Sequence, residues 1–146
     1  MSTTAQLENT NAQCEQAATN IGKTFPWHQI FGASEQTSVN FYTKAFDWAT
    51  EDFPMGENGT YKMLTANGMP VAGVIGTEGG CEQARGIPPH WSVSIGVDSV
   101  DARLKKCTDL GGTVLQPAMD IPSVGRIALI QDPQGASFWI FEPERR

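Results

Sequence analysis

The sequence predicts an α+β fold made of two βαβββ modules. Segments with strand-like alternation and helix-like periodicity follow the order strand, helix, three strands, and the same order returns after a loop rich in Gly and Pro. Each module also contains a strong turn signal, at Asn67-Gly68 and at Asp132-Pro133-Gln134-Gly135. We expect each twisted module to carry its helix on the outer face, and the two together to form a curved mixed sheet around a cavity.

The predicted boundaries follow the change from polar to apolar composition. Residues 1–22 are polar and are interpreted as a flexible N-terminal tail, and residues 23–146 as a single domain. Within that domain we place module one at 25–76, a linker at 77–89 and module two at 90–144. A chain of 146 residues with 40% hydrophobic residues is long enough to bury one ordinary core.

Module one begins with a predicted strand at Trp27–Gly32. A helix from about Gln36 to Phe46 follows, and then strands at 48–53, 60–65 and 69–75. The helix has an apolar stripe at helical spacing. Its members are Val39, Phe41 or Tyr42, Ala45 and Phe46.

Module two begins with a strand at 90–97 in which large apolar and small polar residues alternate. Asp98 or Ser99 then caps a helix that ends near Leu110, before Gly111-Gly112. The expected inner face of this helix consists of Val100, Leu104, Cys107 and Leu110. A strand at 113–117, a turn-rich crossing at 119–124 and a hairpin with strands at 126–132 and 136–141 complete the module.

Charge and composition exclude several classes of partner. The formal net charge of −6 argues against nucleic acid, which requires a basic surface. The sequence has no apolar stretch long enough to span a bilayer and no pattern of a signal peptide, so we expect a cytoplasmic protein without a membrane partner. Three cysteines, Cys14, Cys81 and Cys107, do not suggest a disulfide framework.

The order of short motifs resembles the vicinal oxygen chelate superfamily, which includes glyoxalase I, bleomycin-resistance proteins and extradiol dioxygenases. The resemblance covers nearly all of 25–142 and is specific to a fold that hosts many activities. It implies a homodimer, as in relatives with one pair of modules per chain. The matching segments are Phe41-Tyr42, Phe46-Asp47-Trp48, Pro70-Val71-Ala72-Gly73, Val97-Asp98-Ser99-Val100-Asp101, Leu110-Gly111-Gly112 and the hairpin from Gly125-Arg126 to Asp132-Pro133-Gln134-Gly135-Ala136.

The resemblance also implies where a divalent metal would be bound, through His and Glu on the first, fourth, fifth and eighth strands. Those positions fall on Trp27, Ser92 and Trp139, and the fourth strand has no His, Asp, Glu or Cys. His28 lies one residue from the first position, and an offset of one residue turns a side chain to the opposite face. His90 shares a face with Ser92, but a single His does not hold a catalytic metal. We therefore expect no metal and no other cofactor; a divalent metal is the alternative if His28 or His90 faces inward.

The cavity is instead predicted to be lined by aromatic rings and a few polar groups, which suits a flat organic ligand. Trp27 and Trp139 could also be simple core residues, and Arg126 could be a pocket cation or part of a surface ion pair. The predicted ligand-binding residues are Trp27, Gln29, Phe31, His90, Ser92, Ser94, Arg126 and Trp139.

Three functions remain open at the level of sequence. The first is a metal-free protein, similar to bleomycin-resistance members, that binds a small organic molecule in the cavity between the modules. The second is a lyase or oxygenase resembling glyoxalase or the dioxygenases, with an atypical metal site. The third is a non-catalytic interaction module that has kept the fold.

Overall fold

The structure, a computed structural model, describes residues 25–78 and 85–144 and confirms the predicted α+β class and the doubled βαβββ order. The predicted tail at 1–22, Cys14 and Cys81 lie outside the described residues. The chain divides into two compact units, Trp27–Ser94 and a second unit that begins at Ile95.

The first unit contains one helix and five strands in the hydrogen-bonded order β2-β3-β4-β1-β5. Strand β1 pairs in parallel with β4 and antiparallel with β5, and β3 pairs with both β2 and β4. The elements are β1 (Trp27–Gly32), α1 (Glu35–Phe46), β2 (Ala49–Pro54), β3 (Thr60–Ala66), β4 (Met69–Gly76) and β5 (His90–Gly96).

Helix α1 covers one face of this sheet. It begins after Ser34, whose side-chain oxygen accepts a hydrogen bond from the Thr37 amide. The core of the unit lies beneath the helix and consists of Ile30, Val39, Leu64 and Val74, with Tyr42 and Trp48 packed against it. Alternation along the strands therefore defines two faces, one toward α1 and one away from it.

The second unit begins at Ile95, and its strands β8, β7 and β6 are hydrogen-bonded in that order. Helix α2 begins after Ser99, one of the two caps predicted, and packs against a core that includes Val100, Ala128, Ile130 and Ile140. The elements are α2 (Val100–Asp109), β6 (Thr113–Ile121), β7 (Gly125–Gln131) and β8 (Ser137–Pro143).

Both predicted turns adopt the expected backbone. Asn67 and Gly68 have φ of 51° and 75°, and Gly135 has φ of 98°. The Asp132 carboxylate accepts hydrogen bonds from the backbone amides of Gln134 and Ala136, which fixes the β7–β8 turn.

Three predictions about the elements are wrong. Residues 119–121 were predicted as part of a turn-rich crossing but belong to β6. The strand continues past Pro117 because its register with β7 shifts at two places, which lets pairing resume after each irregularity. Leu110 is not on the inner face of α2 but is 71% exposed, since it stands at the C-cap. Phe46 and Ala45 are exposed as well, so the buried stripe of α1 is narrower than predicted.

Candidate functional site

The face of the first unit that points away from α1 carries the predicted polar and aromatic groups of β1 and β5. Gln29 is the Cα partner of Ser92, Trp27 that of Ser94, and Phe31 that of His90. Directly opposite residues of an antiparallel pair project to the same side. We call this surface the helix-distal face; its residues are Trp27, Gln29, Phe31, Tyr61, Gly73, His90, Ser92 and Ser94.

The large side chains of β5 lie on the opposite face of the sheet, toward α1. Trp91 is the partner of Ile30, a core residue beneath α1, and the Trp91 indole Nε1 donates a hydrogen bond to the Tyr42 hydroxyl of α1 over 2.9 Å. The alternation predicted for β5 is therefore confirmed in this unit. Its cause is the strict two-residue period of an extended strand.

Ser92 is the polar group at the centre of the helix-distal face. Its side chain is buried, with the residue 3% exposed, and its Oγ has no hydrogen-bond partner among residues 25–78 and 85–144. A buried hydroxyl without a hydrogen-bond partner lowers the stability of the folded protein by about 1–3 kcal/mol. Native structures leave few such groups.

His90 and Phe31 form a stacked pair beside Ser92. Their ring centroids are 5.0 Å apart and their planes differ by 7°. The His90 Nδ1 lies 2.7 Å from the Pro88 carbonyl oxygen, which can only accept, so Nδ1 carries the proton in this contact.

Tyr61 is a site residue that the sequence reasoning missed. Its hydroxyl accepts a hydrogen bond of 3.1 Å from the Trp27 Nε1, and it lies directly over Gly73 of β4, where a Cβ atom would collide with the phenol. Burial raises the pKa of Tyr61 to about 12, against a smaller lowering by the hydrogen bond from Trp27. The phenol is therefore neutral and keeps a proton to donate.

These groups do not fit a divalent metal. The indole of Trp27 is a donor only, and Ser92 supplies a neutral hydroxyl instead of an anionic or imidazole ligand. His28 is the partner of Val93 and shares the face of Ile30, so it lies on the opposite side of the sheet from His90. Within the described ranges, no three His, Cys, Asp or Glu side chains are grouped closely enough to hold a metal ion.

Two predicted residues belong to the second unit. Phe138 and Ile140 of β8 pack in the core under α2, so Trp139, which alternates with them, lies on the other side of β8. Arg126 shares a side with Ala128 and Ile130, as predicted, and that side faces α2. The structure therefore does not bring Arg126 and Trp139 to one face.

The Arg126 guanidinium forms ion pairs with two carboxylates. Its Nη1 donates to Asp120 over 3.0 Å and its Nη2 to Asp101, on α2, over 3.1 Å. Both contacts raise the pKa of Arg126, the contact with Asp101 most. Of the two roles that the sequence left open for Arg126, this geometry corresponds to the ion pair.

Two surface clefts lie elsewhere. One, of about 540 Å³, has a wall that includes Ala33, Glu78, Arg85 and Pro89. The other, of about 360 Å³, lies at the ends of β7 and β8 and includes Arg126 and Glu142. Neither contains Ser92, Gln29 or Tyr61, so we place the candidate site on the helix-distal face. No helix among the described residues is long and apolar enough to cross a membrane.

Comparison with known proteins gives three findings. The family model described as the Glyoxalase/Bleomycin resistance protein/Dioxygenase superfamily matches residues 24–140. A Mycobacterium tuberculosis protein named "Putative glyoxylase CFP32" is 37% identical over 120 residues, which cover 82% of this chain and 45% of that protein. The anthracycline biosynthesis protein DnrV of Streptomyces peucetius is 28% identical over 124 residues, covering 79% of this chain and 45% of DnrV.

The chain thus spans about half the length of the curated relatives that it matches. Among solved structures, the hypothetical protein BH1468 of Bacillus halodurans aligns with a TM-score of 0.58 and 17% identity, over 84% of this chain and 96% of that one. Methylmalonyl-CoA epimerase of M. tuberculosis aligns with a TM-score of 0.55 and 14% identity, over 81% and 86%. At these identities the structural likeness shows the fold alone.

Proposed function

Because the chain belongs to the Glyoxalase/Bleomycin resistance protein/Dioxygenase superfamily, whose fold hosts both binding proteins and enzymes, we propose that it binds a small, flat organic molecule on its helix-distal face without a metal ion. The observation that carries the proposal is the buried Ser92 hydroxyl without a partner among the described residues. A ligand oxygen or nitrogen that pairs with this hydroxyl would remove its cost and gain affinity.

The surroundings of Ser92 favour an aromatic ligand that also has a polar atom. Phe31 and His90 present a stacked pair of rings, and Trp27 adds an indole on the same strand as Phe31. Such rings bind flat molecules by stacking, and sparse polar groups set the orientation. No Asp, Glu, Lys or Arg occurs in β1, β4 or β5, so the ligand class is neutral.

Tyr61 and Gln29 supply the other polar contacts. The Tyr61 phenol is held over Gly73, and Gln29 is the Cα partner of both Gly73 and Ser92. Neutral donors on neighbouring strands suit a ligand with carbonyl or quinone oxygens. The relative named for anthracycline biosynthesis supports this class, because an anthracycline is a fused-ring quinone.

A calorimetric titration with alizarin, a fused-ring quinone, tests the proposal. We expect saturable binding to the wild type that persists after treatment with a chelator. Ser92→Ala should weaken binding about tenfold, which corresponds to the loss of one hydrogen bond of about 1.4 kcal/mol. The same variant should leave the free protein equally stable or more stable, since it removes an unsatisfied buried hydroxyl.

The matched control is Ser137→Ala, which removes an exposed serine hydroxyl from β8 in the second unit. It should change neither alizarin affinity nor stability. If Ser92→Ala and Ser137→Ala bind alizarin equally well, Ser92 does not contact the ligand. If no fused-ring quinone binds the wild type, the proposed ligand class is wrong.

A glyoxalase-like lyase is the second candidate, favoured by the 37% identity to the relative named as a glyoxylase. Its test is elemental mass spectrometry of the dialysed protein, before and after nickel, zinc, iron or manganese is added. A stoichiometric metal that a chelator removes, together with turnover of the methylglyoxal–glutathione adduct, would replace the binding proposal by this one. Substoichiometric metal and no turnover would support metal-free binding.

A further inference from the structure

A surface cleft of about 540 Å³ begins where the helix-distal face ends. Its wall includes Ala33, which directly follows β1, Thr77, which directly follows β4, and Pro89, which directly precedes β5. The cleft therefore starts within two residues of Phe31 and one residue of His90, the stacked pair of rings in the candidate site. Its volume lies in the range of ligand pockets, which is about 300–1,000 Å³.

Backbone hydrogen bonds carry the sheet past the strand ends and hold this wall in place. The Thr77 amide donates to the carbonyl of the last residue of β1 over 2.8 Å, and the Glu78 amide donates to the Ala33 carbonyl over 2.9 Å. Gly76 faces α1, because a Cβ atom there would lie 3.1 Å from the Glu35 amide nitrogen. By alternation the next residue, Thr77, points to the other side, which is that of the helix-distal face.

Two side chains of opposite charge, Glu78 and Arg85, stand in the wall of the cleft. Both are exposed, and within the part of the chain that the structure describes neither forms an ion pair with the other or with a third residue. They are the first charges beyond β1, β4 and β5, which contain none. A cation and an anion that share a cleft without pairing can instead pair with two opposite charges of one ligand.

The rest of the wall is mostly apolar. Ala33 and Ile87 are half-buried, and Pro89 adds an apolar ring. Thr77, which is only 6% exposed, contributes a hydroxyl group. An apolar lining with a small number of polar groups is typical of a site for a small molecule.

We propose that this cleft holds a zwitterionic group, an ammonium and a carboxylate a few bonds apart as in an amino acid, at one end of the flat ligand. The inference rests on the proposed function, because the ring system of the ligand is the one assigned to the helix-distal face. The carboxylate faces Arg85, whose planar guanidinium can donate two parallel hydrogen bonds to it, and the ammonium faces Glu78. Such a group is neutral overall and therefore agrees with the neutral ligand class.

The spacing along β1 allows one ligand to reach both places. Gln29, the Cα partner of Ser92, precedes Ala33 by four residues, which is about 13 Å at about 3.3 Å per residue. This distance is comparable with the long dimension of three fused rings and a short substituent. A fused-ring quinone whose oxygen pairs with Ser92 would therefore place a substituent at its far end in the cleft.

Calorimetric titration of the full chain with two quinones that share the same rings tests the proposal. The first probe, N-(anthraquinon-2-ylmethyl)glycine, carries the zwitterion, and the second, 2-(hydroxymethyl)anthraquinone, is its neutral counterpart. We expect the wild type to bind the zwitterionic probe about tenfold more tightly. This gain corresponds to two partly exposed ion pairs that each contribute about threefold.

Substitution of each charge should remove its share of the gain. Arg85→Gln and Glu78→Gln should each weaken binding of the zwitterionic probe about threefold and leave binding of the neutral probe unchanged. Anthraquinone-2-carboxylate separates the two charges, because Arg85→Gln should weaken its binding whereas Glu78→Gln should strengthen it by removing a like charge. Both side chains are exposed, so urea unfolding should show unchanged stability.

The matched controls are Arg103→Gln and Glu144→Gln, which remove one charge of each sign from the second unit. They should leave the affinity for all three probes unchanged. Equal affinity of the wild type for the zwitterionic and the neutral probe would overturn this inference and leave the ring site on the helix-distal face standing. A tenfold gain that survives both Arg85→Gln and Glu78→Gln would also overturn it, because the charged end would then lie elsewhere. Failure of all three probes to bind would overturn the proposed function and this inference with it.

Discussion

The Trp27 indole donates a hydrogen bond to the Tyr61 hydroxyl across an intervening strand. Trp27 is on β1 and Tyr61 on β3, and β4 lies between them in the sheet. The contact is made because β4 has Gly73 at the crossing point, where any side chain would collide with the phenol. A glycine thus allows two aromatic residues from non-adjacent strands to build one wall of the candidate site.

Loss of the Tyr61 hydroxyl should cost more stability than loss of the Tyr42 hydroxyl. Both accept a hydrogen bond from a tryptophan Nε1, but the Trp27–Tyr61 bond is partly buried and the Trp91–Tyr42 bond is exposed. Tyr61→Phe leaves a desolvated indole N–H without its partner, at about 1–3 kcal/mol, whereas Tyr42→Phe should cost below about 1 kcal/mol. Urea unfolding of the two matched variants measures the difference. Equal losses would show that burial of the Trp27–Tyr61 bond does not matter.

Gly73→Ala should destabilise the protein through a collision with Tyr61. The new methyl group would overlap the phenol ring, and displacement of a packed ring costs about 1–3 kcal/mol. A double-mutant cycle checks the cause: in a Tyr61→Ala background the same substitution should cost much less, because the obstructing ring is gone. If the cost of Gly73→Ala is the same in both backgrounds, the collision is not its origin.

Stability should fall at high pH because of Tyr61. Its pKa is about 12 in the folded protein and 10.0 in the absence of burial, so above pH 10 the unfolded chain loses the phenol proton first. Deprotonation then favours the unfolded state, and the contribution of Tyr61 is complete below pH 10 and lost as the pH rises to about 12. The expected loss is about 2 kcal/mol over this interval.

The matched comparison for this pH effect is Tyr61→Phe. Urea unfolding of the wild type and the variant between pH 9 and about pH 12 should give curves that converge as the pH rises, since only the wild type has this phenol to titrate. Parallel curves would show that Tyr61 ionises at its ordinary pKa. Tyr42, the other tyrosine of the chain, is present in both proteins and cancels.

Much of the first unit could be predicted from the sequence because its strands and turns are marked by patterns of neighbouring residues. The bounds of β1 agree with the prediction, and the alternation in β5 correctly separates Trp91 from Ser92. Both follow from the two-residue period of a strand, which needs no knowledge of tertiary contacts. The N-cap of α2 also follows from a local signal, since Ser99 is one of the two caps that the sequence predicts and its side chain accepts a hydrogen bond from the amide three residues on.

Tyr61 could not be placed because the register of the β3–β4 hairpin is irregular. A two-residue turn at Asn67-Gly68 pairs Ala66 with Met69, and continued pairing would set Leu64 opposite Val71. The structure shifts the register between Leu64 and Thr65, so that Leu64 pairs with Ala72. A shift of one residue changes which side chains share a face, and Pro70, the partner of Thr65 at the shift, is compatible with a bulge but does not fix its register.

The contacts that exposed residues make with other elements could not be predicted from the sequence either. Sequence periodicity places Arg126 on the side of Ala128 and Ile130 but does not show that Asp101, from a different element, meets its guanidinium. Likewise, helical spacing groups Phe46 and Ala45 with Val39, but the helix ends at Phe46 and only Val39 of these three reaches the core. Burial at the last turn of a helix depends on what packs there, which is a tertiary property.

Arg126→Gln should leave the affinity for alizarin unchanged. The guanidinium is bound by Asp101 and Asp120 on the side of β7 that faces α2, whereas the proposed ligand contacts are on the helix-distal face of the first unit. The substitution should lower stability only slightly, because both carboxylates are largely exposed and exposed ion pairs contribute little. Calorimetric titration and urea unfolding measure the two effects separately.

Ser92→Ala is the opposite case and serves as the comparison for Arg126→Gln. It should weaken alizarin binding without a loss of stability, whereas Arg126→Gln should slightly reduce stability without a loss of binding. One variant is expected to change only alizarin affinity and the other only stability. A general loss of the fold would change both, so it could not produce either result. If Arg126→Gln weakened binding as much as Ser92→Ala, the guanidinium would have to leave its two carboxylates for the ligand, and the site would extend beyond the helix-distal face.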